Sequence, residues 1–199
     1  MVAVRPGSDA LVGRFVRLEP MTLDDVPSLF EAIGHPEVFA GGYGGGPAGY
    51  RDTLEGFTEF AREYYDFTRN NVYAVRLPTG ELVGTSTLGD FDEANEHTHL
   101  GWTAYAPSVW GTAVNPETKL LMLAHAFDSG FGRVKIQADA MNSRSRAAIL
   151  KLGATFEGIM RRDRLRADGT WRDSAIYSIL IDEWPDVRDG LLARLAAFD

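Results

Sequence analysis

Cysteine is absent from this 199-residue chain. A disulfide framework, a thiolate metal site and a cysteine nucleophile are therefore excluded. Long apolar runs are also missing. None approaches the roughly 20 residues that a bilayer span requires, and Met-Val-Ala-Val-Arg-Pro-Gly at the start lacks the apolar core of a signal peptide. No membrane partner is expected, and a soluble protein of the cytoplasm is the simplest account. No Gly-X-Ser-X-Gly elbow occurs. No Gly-Lys-Ser/Thr follows the glycine-rich stretch at 41–49. His97 and His99 share a strand face, but no third ligand joins them, so no metal is expected.

Acidic charge dominates, with a net of −8. The distribution is uneven. Residues 133–172 hold ten Lys/Arg against four Asp/Glu, so this stretch is +6 and the remainder −14. Overall acidity argues against a nucleic-acid partner. The basic stretch suits a small polyanion, or is a solvated charged face.

Hydrophobic residues make up 45% of the chain and charged residues 24%, as in ordinary globular domains. The pattern predicts one α/β domain over residues 1–199 with a mixed, mostly antiparallel sheet flanked by helices. A strand at 12–19 precedes a capped helix, Thr22 to Ile33. The glycine stretch at 41–49 reads as a flexible loop able to close over a substrate. Thr53 to Arg69 forms a helix, and strands follow at 72–77 and 82–88 around Pro78-Thr79-Gly80. Next come a strand at His97–Tyr105, a helix over about 116–128, a short strand at 134–138 and a helix opened by Asn142 and closed by Gly153. Strands at about 155–166 and 172–181 meet at Asp168-Gly169. Pro185 starts a terminal helix with Val187, Leu191, Leu192 and Leu195 inside.

Residues 107–119, Pro-Ser-Val-Trp-Gly-Thr-Ala-Val-Asn-Pro-Glu-Thr-Lys, carry the strongest functional signal. Asn115 is suited to cap a helix whose first position is Pro116. Gly111, Thr112 and Ala113 are small enough to let backbone N–H groups crowd round an oxygen-rich group, beside a helix dipole. An ordinary capped helix would look the same in isolation. His99 facing a cleft is a candidate general base. Arg162, Arg164 and Arg166 share a strand face and serve either solvent or a substrate. Trp102 and Tyr105 flank the approach to the anion loop.

The order of these parts resembles the GNAT superfamily of N-acetyltransferases, and within it the branch of ribosomal-protein N-terminal acetyltransferases. The resemblance runs from Arg14-Phe15-Val16-Arg17-Leu18-Glu19-Pro20 to Tyr177-Ser178-Ile179-Leu180. Its most specific parts are Leu100-Gly101-Trp102, Trp110-Gly111-Thr112-Ala113-Val114-Asn115, Asn142-Ser143-Arg144-Ser145-Arg146 and Lys151-Leu152-Gly153-Ala154. The family loop runs Gln/Arg-x-x-Gly-x-Gly/Ala. Here Trp110, Ala113 and Asn115 depart from that pattern.

By that resemblance the co-substrate is acetyl-CoA. The loop N–H groups from Trp110 to Asn115, Val114 included, hold its pyrophosphate. The strand with Trp102 and Thr103 pairs with the pantetheine arm, and Asn142 binds the pantetheine amides. Lys119, Arg144 and Arg146 are candidates for its charged end. Ser145 would protonate the leaving thiolate while His99 takes the amine proton, with a water chain as rival to the imidazole. The implied activity is direct acetyl transfer to a primary amine, a protein or peptide N-terminus. An α-amine at about 8 is already partly neutral at pH 7. Alternatives are a small-molecule amine acceptor and a non-catalytic sensor of coenzyme A; an acidic surface round the cleft would favour a cationic small molecule and a basic peptide alike. Monomer and homodimer stay equally open.

Overall fold

The computed structural model describes residues 2–198. Eight strands form one sheet: β1 (Leu11–Val12), β2 (Arg17–Pro20), β3 (Asn71–Arg76), β4 (Leu82–Asp92), β5 (His97–Tyr105), β6 (Arg133–Asp139), β7 (Thr155–Leu165) and β8 (Trp171–Leu180). Their order is β1-β2-β3-β4-β5-β6-β8-β7. Every neighbouring pair is antiparallel except β5 and β6. Six helices flank the sheet: α1 (Val26–Ile33), α2 (Pro36–Phe39), α3 (Leu54–Tyr64), α4 (Val114–Asp128), α5 (Ser143–Leu150) and α6 (Trp184–Ala196). The expected mixed, mostly antiparallel α/β architecture is the one observed.

The core has two parts. Leu18, Tyr73, Leu88 and Leu100 pack with Met122, Leu123 and Phe127 of α4 and Trp184 and Leu191 of α6. Val72, Ala74, Leu82 and Ala104 pack with Leu29 and Ile33 of α1 and Phe57 and Phe60 of α3. With helices on both faces, β3 and most of β4 are buried as unbroken runs. Each fully buried Leu or Phe contributes about 1.5–3 kcal/mol through area removed from water. At the other end β7 is an edge strand and largely exposed.

Several boundaries differ from the sequence reading, each for a local reason. The strand expected at 12–19 is interrupted. The Glu117 carboxylate, buried at the start of α4, accepts N–H bonds from Arg14 (2.9 Å), Phe15 (2.6 Å) and Val16 (2.7 Å). Those donors leave the ladder, and the chain turns between β1 and β2. The helix expected over Thr53 to Arg69 is α3, capped by Thr53 but ending at Tyr64. Asp66 then accepts the N–H groups of Thr68 (3.1 Å) and Arg69 (3.0 Å), so they cannot continue the helix. In α6, Val187, Leu191 and Leu195 face inward, but Leu192 is exposed because it lies one residue round the helix from that row. His97 is exposed and His99 buried, so the two imidazoles do not act as a pair. A register shift between Met160 and Arg164, with Arg162 at φ +50°, breaks the common face expected for Arg162, Arg164 and Arg166.

Candidate active site

The parallel joint between β5 and β6 is short. His97, Thr98 and His99 pair with Arg133, Val134 and Lys135, and there the ladder stops. One cause lies in β5. Between Thr85 and Thr87 of β4 the partner strand advances from Ala104 to Gly101, one residue too many. Trp102 sits at this bulge with φ +49°, a left-handed conformation that costs free energy for a bulky residue. A bulge bends its strand. Past Leu100, β5 and β6 splay apart, and two cavities occupy the split.

The first cavity, about 290 Å³, lies between Leu100–Tyr105 of β5, the loop before α4, and α5. The second, about 390 Å³, lies between β5, the glycine-rich loop and the β7–β8 hairpin. They adjoin. Tyr43, Trp102, Thr103, Asn142 and Ser145 line both.

The loop before α4 is anion-ready, but its capping differs from the expected form. Helix α4 begins at Val114, with Ala113 in the cap position and no side-chain cap bond. Asn115 is therefore inside the first turn, facing the first cavity, and Pro116 is the third helical residue. Proline is tolerated there because first-turn N–H groups lack helical acceptors anyway. Gly111 has φ +79°, and the positive φ is what turns the chain into the helix. Thr112 donates its hydroxyl to Val109 O (2.7 Å) and receives Val114 N–H (3.4 Å). Among the described residues no acceptor takes the N–H groups of Gly111, Ala113 or Asn115. Three free donors at a helix start suit a diphosphate. Trp110, Gly111 and Asn115 line the cavity, whereas Thr112, Ala113 and Val114 do not.

Across the cavity, Asn142 caps α5 by accepting Ser145 N–H (2.9 Å). Its amide also donates to Gly41 O and so ties down the start of the glycine loop. That loop is not an open flap. Ala167 N–H donates to Gly45 O (3.4 Å), and Tyr43 packs edge-on against Phe39 and Phe60. Arg144 stacks its guanidinium over the Trp110 ring at 4.0 Å, and Trp110 Nε1–H donates to Tyr105 O (3.0 Å). A guanidinium thus stands at the loop's first position although it comes from α5. Arg146 is turned inward, donating to Tyr177 Oη (3.1 Å) and Ala140 O (3.2 Å).

Lys119 reaches the interior of the sheet rather than a solvent-facing rim. Its ammonium donates to Ser86 Oγ (3.0 Å) and Thr103 Oγ1 (2.6 Å). Burial without a carboxylate partner pushes it down to about 7. It props the bulged part of β5 from below.

His99 borders the second cavity and is 3% exposed. Its Nδ1 lies 3.0 Å from Asp90 Oδ2. Burial pushes the imidazole down to about 4, the Asp90 bond opposing that shift. The bond from His99 holds the Asp90 carboxyl down at about 2. A neutral ring beside a carboxylate must donate from Nδ1. Nε2 then carries a lone pair; it packs under Gly101, shut off from solvent, and no hydrogen-bond partner meets it among the described residues, so a shift at the neighbouring Trp102 bulge is needed to open it to the cavity. Asp90 was not singled out in the sequence. Its own φ of +50° turns its carboxylate toward the ring, and only pairing of Gly89 with His99 brings the two together.

The second cavity also gathers Arg164, Arg166, Arg172, Tyr64 and Asp139 from three separate elements. Asp139 is paired with Arg166 through Nε (3.1 Å) and Nη2 (2.8 Å). The wall is thus basic rather than acidic.

A mixed sheet split at its one parallel joint, with an anion-ready helix start at the mouth of the split, is the frame of an acyltransferase. The chain belongs to the GNAT acetyltransferases, whose acetyltransferase (GNAT) domain matches residues 16–155. No protein of curated function matches it. Among solved structures, a GCN5-related N-acetyltransferase from Brucella melitensis is 26% identical, covering 97% of this chain and 88% of its own, with a TM-score of 0.86. A protein from T. thermophilus, classed with the acetyltransferases, is 32% identical over 98% and 100%, with a TM-score of 0.85. RimJ of Mycobacterium smegmatis, in complex with CoA-disulfide, is 23% identical over 96% and 97%, with a TM-score of 0.74, and shares the fold. The protein is a GNAT-type acetyltransferase, and its fold supports acetyl transfer from acetyl-CoA. No helix of the described residues is long and apolar enough to cross a membrane. No group of three His, Asp or Glu among them could hold a metal.

Proposed function

We propose that this enzyme moves an acetyl group from acetyl-CoA to a primary amine by direct attack, with a peptide or protein N-terminal amine as acceptor, as in the ribosomal-protein N-terminal acetyltransferases. The observation that carries this reading is the junction of the two cavities at Thr103 and Ser145. A thioester in the first and an amine in the second would meet there. The free N–H groups of Gly111, Ala113 and Asn115 fit the pyrophosphate, and Arg144 with Trp110 fits the charged end. Beyond Leu100, β5 has lost its β6 partner, so its backbone around Trp102 and Thr103 is open to the pantetheine amides; Asn142 stands opposite.

The amine lone pair attacks the thioester carbonyl and forms the C–N bond. Charge gathers on the carbonyl oxygen, which a backbone N–H of the bulge stabilises. As the C–S bond breaks, the thiolate leaves with the electron pair and takes up a solvent proton relayed through the Ser145 hydroxyl, which gains one proton as it passes one on. The nitrogen becomes far more acidic once acylated and passes its proton to His99 Nε2. A base at about 4 is weak but is neutral at every physiological pH, which suits a late proton transfer. Holding amine and thioester together supplies much of the acceleration.

The test is thiol release from acetyl-CoA with a panel of N-terminal peptides and small amines. Turnover of an N-terminal peptide with acetylation at the α-amine supports the proposal. No calorimetric binding of coenzyme A or acetyl-CoA at millimolar concentration overturns it.

A further inference from the structure

The second cavity has a charge pattern that acetyl transfer as such does not require. Of its acidic and basic side chains, Asp139 is consumed by Arg166 at 2.8 Å and also accepts Met141 N–H at 3.0 Å. Arg164 has one weak ion pair, to Asp163 at 3.8 Å, and that carboxylate already accepts the Ser174 hydroxyl at 2.6 Å. The Arg172 side chain makes no hydrogen bond or ion pair among the described residues, and its Nε is shut off from solvent. Burial lowers its proton affinity, and neighbouring Arg164 lowers it further against the pull of Asp139. The guanidinium is half-buried with its Nε shut off, and Asp139 and Asp163 act on it only at longer range, so its terminal N–H groups are left to an anion in the cavity.

The same cations act on the reacting end. Arg164 lies close enough to His99 to disfavour its protonation. A cation there equally disfavours an ammonium, so an incoming amine is held in its neutral, nucleophilic form. Acceptors with further positive charge, such as polyamines or Lys-rich N-termini, are repelled.

We propose that the second cavity takes an acceptor bearing a carboxylate close to its reacting amine, with Arg172 and Arg164 as the carboxylate's partners. Arginine forks match a carboxylate in a bidentate manner. The carboxylate comes either from the α-carboxyl of a free amino acid or from an acidic side chain in the first positions of a peptide. This inference rests on the acetyl-transfer reading of the site and narrows its acceptor class.

The experiment uses the full chain with acetyl-CoA and matched acceptors. One set is a peptide beginning Ser-Asp-Glu, its Ser-Asn-Gln counterpart and its Ser-Lys-Lys counterpart. The other is glycine and glycinamide, which isolate the α-carboxyl. The acidic member of one set is expected to exceed its amide counterpart in kcat/KM by about tenfold or more, and the lysine peptide to be poorest. Arg172→Gln and Arg164→Gln are each expected to shrink that ratio to within about threefold, with coenzyme A affinity retained as a check on folding. Calorimetry of the Ser-Asp-Glu peptide on the protein with coenzyme A supplies a readout independent of turnover. Binding that weakens with salt and is lost in Arg172→Gln is expected.

Equal or better use of the amide or lysine acceptors overturns the inference and leaves acetyl transfer standing. A carboxylate preference that survives both substitutions also overturns it. Binding of the acidic peptide through Arg172 with no turnover of any acceptor keeps the anion site and overturns acetyl transfer. Neither binding nor turnover overturns both.

Discussion

The cavity on the α4 side presents backbone to its occupant, whereas the cavity on the hairpin side presents side chains. Gly111, Ala113 and Asn115 offer N–H groups fixed by a helix start. Their position depends on chain geometry more than on residue identity. That explains how Trp110, Ala113 and Asn115 can depart from the family pattern while the donors stay in place. Opposite them, His99, Arg164 and Arg172 act through charge and lone pairs, so identity is everything. In the proposed reading, the family's shared reaction belongs to the first cavity and the individuality of this enzyme to the second.

The largest expected effect separates the two. His99→Gln is expected to lower kcat/KM by about 10²-fold or more while coenzyme A affinity holds. An unchanged rate and pH–rate profile would remove the imidazole from the mechanism in favour of a water chain. Next in size is Glu117→Gln. It weakens three N–H bonds that brace the first turn of α4, and a loss of about 1–3 kcal/mol in unfolding stability is expected, with weaker coenzyme A binding alongside. Stability lost with cofactor affinity intact would mean that the loop holds its shape without that brace. Asn115→Asp keeps the volume and places a carboxylate among the free donors. Coenzyme A affinity is expected to fall by about tenfold, with the acceptor charge preference unmoved.

The smallest effect concerns pH. Lys119 is held down at about 7 in the fold against 10.5 when exposed. Between those values the unfolded chain binds more protons than the folded one, so stability rises with pH across that window. Lys119→Met is expected to flatten the rise in melting temperature between pH 7 and 10. His99 works the same way lower down. Its folded value of about 4 against 6.5 means that stability falls as pH drops through that interval, and His99→Gln is expected to soften the fall.

Much of the frame was legible from residue order. Asn142 caps the helix it was expected to open, and Thr53, where a helix was expected to begin, caps α3, because short polar side chains satisfy free N–H groups at a helix start. Strand positions from 71 to 105 were readable from apolar runs and turn residues. Less legible was any feature that depends on a distant partner. The break at Gly13–Phe15 needs Glu117, and the start of α4 at Val114 is two residues earlier than its capping residues advertise. Lys119 was a candidate for the charged end of the cofactor and is instead a buried side chain bonded to Ser86 and Thr103. In the second cavity, Tyr64, Asp139 and Arg172 carried no local signal at all, and Asp90 needed the hairpin register to reach His99.

By itself the sequence determined the class of fold and the place of the small-residue loop and helix start proposed to hold a diphosphate, since both arise from interactions between near neighbours in the chain. Folding in three dimensions decided the charge of the second cavity, the protonation of His99 and Lys119 and the identity of the groups that line that cavity. These are properties of dielectric and distance, and both are set by residues that meet only when the sheet splits and the hairpin closes over it.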